Sequence, residues 1–421
     1  MNRVDTVVLG AGHAGLAVSR LLTEAGREHV VLDRGRVAER WRSERWDSLH
    51  LLSPNWMTRL PGWWYGGPDP DGYLSAAGFV HYLERYAASF VAPVVAGTTV
   101  TRLSRDGDGY RLDTDDGGWL ARDVVVASGP HGAPVVPPGL ERLNVLTANR
   151  YRNPRQLAPG GVLVVGASSS ALQIADELAR SGREVTLAAG RHSRMPRRYR
   201  GMDSFWWLQA TGRLARTIDE MPDPEAARHE PSVQLVGRND PSATDLDLGT
   251  LQQRGVRLAG RLVKASGSTV HLGDNLAEDV AASDRQLRRF LDRVDHHVAC
   301  SGLSREVWAP DRPSPIQVAE PPRRLDLRAE GIGTVLVAAG YRPDYPFLEV
   351  PVLADDGRIL QRQGVTPAPG LYVVGQRFQH RRDSATIDGA RHDARAVVGH
   401  LLARSGGLRQ AQPPMGEESA A

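Results

Sequence analysis

Apolar and polar residues follow one pattern twice along the chain. At residues 6–33 an apolar, β-branched run is followed by a glycine-rich turn, a segment with apolar residues at helical spacing, and a second apolar run. Residues 161–188 repeat this order. A strand, a helix and a second strand connected in this way form a βαβ unit, so the pattern predicts two such units within an α/β fold.

The remaining periodic segments predict further helices and strands. Phe79 and Phe90 lie on one face of a helix that begins near Ser75, and apolar residues at 287–298 form a second helical face. Short apolar runs separated by DGDG and DDGG turns predict strands over residues 94–128. Strands therefore separate the first βαβ unit from the second.

Length and composition exclude several classes of protein. A chain of 421 residues is too long for one ordinary core, so two or three domains are expected. No apolar stretch is long enough to span a membrane, and the first strand leaves no room for a signal peptide, so we expect a cytoplasmic protein. The single cysteine, Cys300, excludes a CxxC redox pair and a cysteine-built metal site. We expect it to be a small buried apolar residue.

Residues 190–201 are rich in arginine. They lack a nucleic-acid recognition motif and interleaved aromatic residues, so a phosphate-bearing small ligand is the preferred interpretation. No nucleic-acid partner is expected.

The first glycine turn has the residues that a dinucleotide-binding unit needs. Gly10 permits the tight turn, Gly12 lets the backbone approach a pyrophosphate, and Gly15 lets the helix pack close to the strand. The N-terminus of the helix offers free N–H groups to an anion. Asp33 ends the second strand and is placed to accept hydrogen bonds from ribose hydroxyls. This unit is therefore predicted to bind a dinucleotide with a free ribose.

The second turn differs from the first at two glycines and at its end. Gly166 keeps the first glycine, whereas Ser168 and Ala171 replace the other two. The unit ends in Arg191, with Arg194 close behind, rather than in an acid. An arginine binds a 2′-phosphate through paired hydrogen bonds, whereas an acid repels it. We therefore expect NADPH in this unit, although a solvated surface charge is the alternative interpretation of Arg191.

Two units that differ in this way imply two dinucleotides in one enzyme, and the usual pair is a tightly held FAD and an exchanging NADPH. The predicted fold has two Rossmann-like, doubly wound domains, the second inserted in the first. The predicted boundaries are residues 1–155 for the first part of the FAD-binding domain, 156–300 for the NADPH-binding domain, 301–404 for the C-terminal part of the FAD-binding domain, and 405–421 for a disordered tail.

Four segments, spread over residues 4–403, resemble one family. They are GAGHAG at Gly10–Gly15, the tryptophan-rich stretch Arg40–Gly62, GASSSA at Gly166–Ala171, and VAAGYRPDY at Val337–Tyr345. They resemble the flavoprotein monooxygenases with two dinucleotide-binding domains, also called class B or flavin-containing monooxygenases, and especially the small bacterial members.

The resemblance implies a reaction cycle. NADPH reduces FAD, the reduced flavin forms a C4a-hydroperoxyflavin with O2, and one oxygen atom passes to nitrogen, sulfur or a carbonyl carbon of a small molecule. Two residues are candidates for catalysis. Thr147 stands where the central motif of the family has a histidine, which leaves the efficiency of oxygen transfer open. Asn55, in the segment that runs beside the flavin in similar proteins, is a candidate donor to the hydroperoxide or else a turn residue.

Candidate cofactor-binding residues lie in the two turns, at the ends of apolar runs and in the tryptophan-rich stretch. They are Gly10, Gly12, His13, Ala14, Gly15, Asp33, Arg34, Trp41, Arg42, Trp46, Asp47, Gly129, Gly166, Ser168, Ser169, Ser170, Arg191, Arg194, Gly375, Gln376 and Asp383. The nearby Arg377, Arg381 and Arg382 are candidates for contact with an anionic substrate.

Two other functions stay open at this point. One is an NADPH-dependent flavin reductase, oxidase or dehydrogenase that transfers no oxygen. The other is a non-catalytic redox or nucleotide sensor, which the intact glycines of the first unit disfavour. The expected partners are a small-molecule substrate and O2, with no membrane and no metal, and a homodimer is plausible.

Overall fold

The computed structural model describes residues 1–230, 233–237 and 245–410, without the side chains of residues 405–410. The strands are β1 (Asn2–Leu9), β2 (His29–Asp33), β3 (Arg59–Leu60), β4 (Trp63–Trp64), β5 (Val94–Ala96), β6 (Val100–Asp106), β7 (Gly109–Thr114), β8 (Gly117–Val126), β9 (Ala133–Pro134), β10 (Val145–Thr147), β11 (Gly161–Val165), β12 (Val185–Ala188), β13 (Ser193–Arg194), β14 (Arg198–Tyr199), β15 (Met202–Asp203), β16 (Val233–Gln234), β17 (Arg257–Ala259), β18 (Leu262–Ser266), β19 (Thr269–Leu272), β20 (Arg324–Asp326), β21 (Ile332–Val337), β22 (Tyr341–Arg342) and β23 (Leu371–Val373). The helices are α1 (His13–Glu24), α2 (Glu39–Ser43), α3 (Ala76–Ser89), α4 (Ser169–Arg180), α5 (Ser204–Ala210), α6 (Pro224–Arg228), α7 (Leu248–Gln253), α8 (Leu276–Cys300) and α9 (Ile387–Gln410).

The first βαβ unit lies in a seven-stranded sheet with the order β5-β2-β1-β8-β7-β6, in which β23 also pairs with β8. The strands β1, β2, β5, β8 and β23 are parallel, whereas β6, β7 and β8 form an antiparallel meander. The parallel strands carry nearly continuous apolar runs, such as Val7–Leu9, because both faces of a parallel sheet are covered.

The second βαβ unit lies in a five-stranded parallel sheet with the order β10-β21-β11-β12-β17. All of these strands fall between β8 and β23 in sequence. The predicted fold class is therefore confirmed: two Rossmann-like domains, with the second inserted in the first.

The limits of the sheets differ from the predicted domain boundaries. Strand β10 precedes residue 156 and β21 follows residue 300, yet both lie in the second sheet, where β21 pairs with β10 on one side and β11 on the other. The second domain therefore begins earlier and ends later in the chain than the predicted boundaries. A single apolar strand carries no local signal of the sheet it joins, which explains the difference.

Two predicted helices form where the apolar spacing placed them. Helix α3 begins after Ser75, whose Oγ accepts a hydrogen bond of 3.1 Å from the amide of Gly78, a typical N-cap. Phe79 and Leu83 are fully buried in a cluster that also contains residues of α1 and α9. The apolar face of α8 is buried as well. Helices α1, α3 and α9 thus share one core beside the first glycine turn.

Two sequence expectations concern the end of α8 and the end of the chain. The prediction that Cys300 is buried is wrong, because this last residue of α8 is exposed and its Sγ lies 3.5 Å from Nε2 of His296. Helix α9 continues past Ser405 to Gln410, and residues 411–421 of the predicted tail lie outside the described residues. In the described part of the chain, no helix has both the length and the apolar character needed to cross a bilayer.

Candidate functional site

The first turn leaves no room for side chains at two of its glycines. Gly10 has a φ of +111°, and a Cβ placed there would lie 2.8 Å from the carbonyl oxygen of Ala127. A Cβ on Gly15 would lie only 1.9 Å from the carbonyl oxygen of Gly10. Real Cβ atoms do not approach a carbonyl oxygen this closely, so the backbone geometry requires glycine at both positions.

Gly12 is different, because its missing side chain faces open space. It is the N-cap of α1 in an extended conformation, and no described atom lies within 4 Å of its ideal Cβ position. The next residue, His13, has a buried Nε2 without a hydrogen-bond partner among the described residues. Burial lowers the pKa of His13 to about 4, so the ring is neutral at pH 7. The N-terminus of α1 is therefore open and provides N–H groups to an anion.

Asp33 connects the first glycine turn to the residues after β2 through hydrogen bonds. Its Oδ2 accepts a hydrogen bond of 2.7 Å from the amide of Ala11, and its Oδ1 accepts one of 2.8 Å from the amide of Gly35. Each carboxylate oxygen can accept a second hydrogen bond, and the contact of Asp33 with ribose hydroxyls stays a prediction.

The loops that follow β8 and β23 lie at the same edge of the sheet as the first glycine turn. Gly129 follows β8 with a φ of +82°, and Gly375 follows β23 with a φ of +89°. The ideal Cβ position of Gly375 lies 3.3 Å from Cβ of Ala14, so the loop after β23 contacts the start of α1. Because β1, β8 and β23 are parallel, their carboxyl ends form one crevice, which is where open α/β sheets bind ligands.

The loop after β23 contains buried polar groups. Gln379 is 1% exposed, and its Oε1 accepts a hydrogen bond from the amide of Gln376, but its Nε2 has no partner among the described residues. Asp383 is 2% exposed and forms an ion pair of 3.0 Å with Arg381. Burial raises the pKa of Asp383. An orphaned buried donor is a group that a bound molecule can satisfy.

The tryptophans predicted near the cofactor have packing partners. Trp41 packs edge-on against Phe79 with ring centroids 4.9 Å apart, and Arg45 lies over its ring. Trp46 is buried in the core cluster of the second domain, together with Ala167 of the second turn. Packing thus accounts for both positions, and a cofactor contact stays a prediction.

The charged candidates of the same stretch are also paired. Arg34 forms an ion pair with Glu44, and Arg42 one with Glu84. Asp47 is exposed and accepts a hydrogen bond of 2.7 Å from Nδ2 of Asn153.

The two catalytic candidates lie in different places. Asn55 is buried, its Nδ2 donates to the carbonyl oxygen of Asp69 at 2.9 Å, and its Oδ1 accepts from the amide of Leu74 at 2.8 Å. These contacts favour the interpretation of Asn55 as a turn residue. Thr147 ends β10 of the second sheet and donates to Oδ1 of Asn149 at 2.7 Å. A catalytic role for either residue stays a prediction.

The second turn has the backbone geometry of the first, although Ser168 and Ala171 replace two of its glycines. Gly166 has a φ of +140°, and a Cβ there would lie 2.3 Å from the carbonyl oxygen of Ala338. Ala171 is fully buried at the position of the third glycine. Ser168 is the N-cap of α4, and its side chain makes no capping hydrogen bond. The N-terminus of α4 therefore also has N–H groups available to an anion.

A segment distant in sequence supports the second turn. Ser169 donates from Oγ to the carbonyl oxygen of Val233 at 2.7 Å, and Gln234 donates from Nε2 to the carbonyl oxygen of Ala167 at 2.8 Å. Gln234 is 1% exposed, and its Oε1 has no partner among the described residues. Sequence reasoning missed Gln234 because a single glutamine outside any motif carries no signal. Ser170, between the two, is partly buried on the first turn of α4.

The two arginines predicted to bind a 2′-phosphate have different environments in the structure. Arg191 is exposed just after β12, as the prediction requires. Arg194 forms ion pairs of 2.8 Å with both Asp247 and Asp284, and it also donates to the carbonyl oxygen of Ser314. Because two carboxylates already neutralise its guanidinium, the structure disfavours the predicted phosphate contact of Arg194. Its acidic partners, Asp247 and Asp284, lie more than 50 residues along the chain, so no local pattern predicts these ion pairs.

Both turns thus fit dinucleotides. Each has an open helix N-terminus and, nearby, a buried polar atom without a partner among the described residues, His13 Nε2 in the first and Gln234 Oε1 in the second. The first unit ends in a carboxylate and the second in an exposed arginine.

Comparison with known proteins gives consistent results. The sequence profile of the pyridine nucleotide-disulphide oxidoreductase family matches residues 7–201. A CzcO-like oxidoreductase of Geobacillus kaustophilus is 30% identical over 407 residues, which cover 95% of this chain and 98% of that protein. The indole-3-pyruvate monooxygenase YUCCA1 of Oryza sativa subsp. japonica is 29% identical over 387 residues, which cover 88% of this chain and 86% of that protein.

Among solved structures, the flavin-containing monooxygenase of Stenotrophomonas maltophilia superposes with a TM-score of 0.66 at 21% identity, over 96% of this chain and 100% of the other. At this identity the likeness shows the fold.

Proposed function

The chain belongs to the CzcO-like oxidoreductases, and from this premise we propose that it is a monooxygenase that binds FAD and NADPH in its two dinucleotide-binding domains. It transfers one oxygen atom from O2 to nitrogen, sulfur or a carbonyl carbon of a small molecule. Bound FAD supplies the redox and oxygen-transfer chemistry, and the protein supplies binding, orientation and exclusion of water.

The observation that carries the proposal is the pair of unlike turns. The open N-terminus of α1 holds the FAD pyrophosphate, and Asp33 accepts hydrogen bonds from its ribose. The N-terminus of α4 holds the NADPH pyrophosphate, and Arg191 contacts the 2′-phosphate. Two separate dinucleotide sites are what an enzyme needs to pass a hydride from one cofactor to the other.

The sequence argues against a disulfide reductase, even though the matching profile includes such enzymes. The chain has one cysteine, Cys300, so it cannot form the redox-active cysteine pair that a dithiol disulfide reductase uses. The relative YUCCA1 is an indole-3-pyruvate monooxygenase, and its name favours oxygen transfer over disulfide reduction.

A matched pair of substitutions tests the two cofactor assignments. Gly12→Val adds a side chain where no described atom lies within 4 Å, so we expect a folded protein that has lost FAD because the pyrophosphate can no longer approach the backbone. Ser168→Val at the corresponding place should keep FAD and raise the KM for NADPH. FAD is measured from the absorbance released on denaturation. Retention of FAD in Gly12→Val would remove the basis of the assignment.

Oxygen transfer is tested by its stoichiometry. The wild-type protein is reduced anaerobically with NADPH, mixed with O2 in the presence of a panel of amines, thioethers and ketones, and assayed for product and for hydrogen peroxide. A monooxygenase yields product in place of peroxide with at least one class of compound. Equimolar peroxide with every compound would instead assign the chain as an NADPH oxidase, the alternative suggested by Thr147 at the position of the family histidine.

A further inference from the structure

A cavity of about 970 Å³ lies beside the second glycine turn, where the two domains meet. The second domain contributes Gln234 of β16 and several residues of α7 to its wall, and the first domain contributes residues 69–73. The chain at residues 313–317 completes the wall. Protein cavities of this volume accommodate small-molecule ligands.

Hydrogen bonds connect this cavity to both predicted cofactor segments. Nε2 of Gln234 donates to the carbonyl oxygen of Ala167 in the second turn at 2.8 Å. The carbonyl oxygen of Asp69 accepts a hydrogen bond of 2.9 Å from Nδ2 of Asn55, in the stretch predicted to run beside the flavin. A molecule in the cavity therefore contacts residues that are bonded to each segment, as expected for a substrate that reacts at the flavin.

The charge of the cavity wall favours a cation. Arg194 has the two acidic partners described above, and Arg197 forms an ion pair of 2.5 Å with Asp203. The third arginine of the wall, Arg198, is exposed. Four further aspartates line the cavity and form no ion pair within the described part of the chain: Asp69, Asp71, Asp245 and Asp311. Acids in the wall therefore outnumber the cations that are free to balance them.

The arginines after β23, which the sequence offered to an anionic substrate, are held by protein groups. Arg381 forms an ion pair of 3.0 Å with Asp383. Arg382 binds both carboxylate oxygens of Glu230, at 2.5 and 3.1 Å, and Arg377 donates to the carbonyl oxygen of Glu230. These contacts give no support to an anionic substrate.

Two acceptors in the cavity wall lack a donor. Asp245 is the one partly buried member of the four aspartates, and its Oδ1 accepts a hydrogen bond of 2.6 Å from the amide of Arg197, but no described side chain donates to its carboxylate. Burial raises the pKa of Asp245, so the carboxylate is costly unless a cation neutralises it. Gln234 is 1% exposed, and its Oε1 has no partner among the described residues.

We propose that this cavity binds a small molecule that carries an ammonium group, with Asp245 as its counter-ion. An ammonium group supplies a positive charge and three N–H donors, which are what the two acceptors lack. The acidic wall repels the phosphates of a dinucleotide. Identification of the molecule as the substrate rests on the proposed function, and the ammonium group is then an anchor rather than the oxygenated atom. The binding of a cation rests on the cavity alone.

Calorimetry on the FAD-loaded protein tests the site without relying on turnover. Benzylammonium is titrated as the probe, benzyl alcohol as its neutral analogue, and MgCl2 as a source of a bare cation. We expect only benzylammonium to bind. Asp245→Asn should weaken its binding about tenfold or more, because the charge is lost while the Asn Oδ1 still accepts from the amide of Arg197. Asp245→Glu should recover part of the loss.

Controls separate this site from general charge effects and from a structural role. Asp326, exposed on β20, also accepts a hydrogen bond from a backbone amide, that of Arg328 at 3.0 Å, and Asp326→Asn should leave benzylammonium binding unchanged. Without ligand, Asp245→Asn should have an unchanged or higher melting temperature, since it removes a carboxylate without a counter-ion. A lower melting temperature, equal benzylammonium binding in Asp245→Asn and wild type, or binding of Mg²⁺ but not benzylammonium would overturn the proposal.

Kinetics with two thioethers tests the assignment to the substrate. 2-(Methylthio)ethylamine is compared with methyl propyl sulfide, an uncharged thioether of the same length. In the wild type we expect kcat/KM to be about tenfold higher for the charged compound. Asp245→Asn should lose this advantage and keep its kcat/KM for methyl propyl sulfide.

Two outcomes overturn the assignment to the substrate. One is an equal kcat/KM of the wild type for both thioethers. The other is loss of benzylammonium binding in the presence of NADP⁺, which assigns the cavity to that cofactor. If hydrogen peroxide is the sole product with every compound, the proposed function fails, and the calorimetric result still decides whether the cavity binds a cation.

Discussion

The two glycine turns follow the same backbone plan with different side chains. In both, the first glycine has a positive φ and lies against the carbonyl oxygen of a residue that follows a neighbouring strand, Ala127 for Gly10 and Ala338 for Gly166. At the third glycine position the first turn tolerates no Cβ, whereas the second buries Ala171. The first helix therefore packs more closely on its strand than a side chain allows.

The residues that end the two units also differ, in how firmly the surrounding structure holds them. Asp33 is held by two backbone amides, so its position is set by the turn itself. Arg191 is exposed, and the arginine three residues later is held by acids from α8 and from the chain before α7. These contacts predict a pre-formed site for a resident cofactor in the first unit and a more open site for an exchanging one in the second.

The largest expected effect separates Arg194 from Arg191. Arg194→Gln leaves Asp247 and Asp284 without their buried counter-charge, and breaking such a network costs about 3–5 kcal/mol of the free energy of unfolding. Urea unfolding measures it. Arg191→Gln, the matched variant, should unfold like wild type. Equal stability of the two variants would contradict the assignment of Arg194 to structure.

The next effect concerns the third glycine position. Gly15→Ala places a Cβ 1.9 Å from a backbone oxygen, so the helix must shift, at a cost of about 1–3 kcal/mol or more, and FAD should be lost. In the second unit, Ala171→Gly should cost about 1 kcal/mol, because glycine lowers helix propensity. Retention of full FAD content by Gly15→Ala would show that the close approach is not needed.

A smaller effect is expected at Asp33. Asp33→Asn keeps the shape but replaces one of the two acceptors of the Ala11 and Gly35 amides by an NH2 group, which weakens the turn by about 1.5 kcal/mol. We expect FAD to dissociate about tenfold more readily, measured by fluorescence of the released flavin. Asp116→Asn, in an exposed turn, is the control. An unchanged KM for NADPH would show that the two sites are independent.

The smallest effect is expected at Arg191. Arg191→Gln should raise the KM for NADPH about tenfold, since an exposed arginine contributes one charge-assisted contact to the 2′-phosphate. The KM for NADH, which has no 2′-phosphate, should not change, and neither should the rate of flavin reduction at saturating NADPH. A parallel rise in both KM values would place Arg191 outside the phosphate site.

Local patterns predicted much of the fold. The apolar patterns at residues 6–33 and 161–188 form the two predicted βαβ units, and Ser75 is the N-cap of α3. Features that depend on distant contacts were predicted less well. Strand β21 was assigned to the first domain, Cys300 was expected to be buried, and the contacts of Asn55 with Asp69 and Leu74 were not foreseen.

The sequence by itself determined the fold class, the two dinucleotide turns and the contrast between Asp33 and Arg191, because glycine conformations and helix or strand periods act over a few residues. Only the tertiary structure decided that Arg194 is neutralised by Asp247 and Asp284. Whether a guanidinium is free or paired depends on the charges that folding brings beside it. Those charges come from segments far apart in the chain.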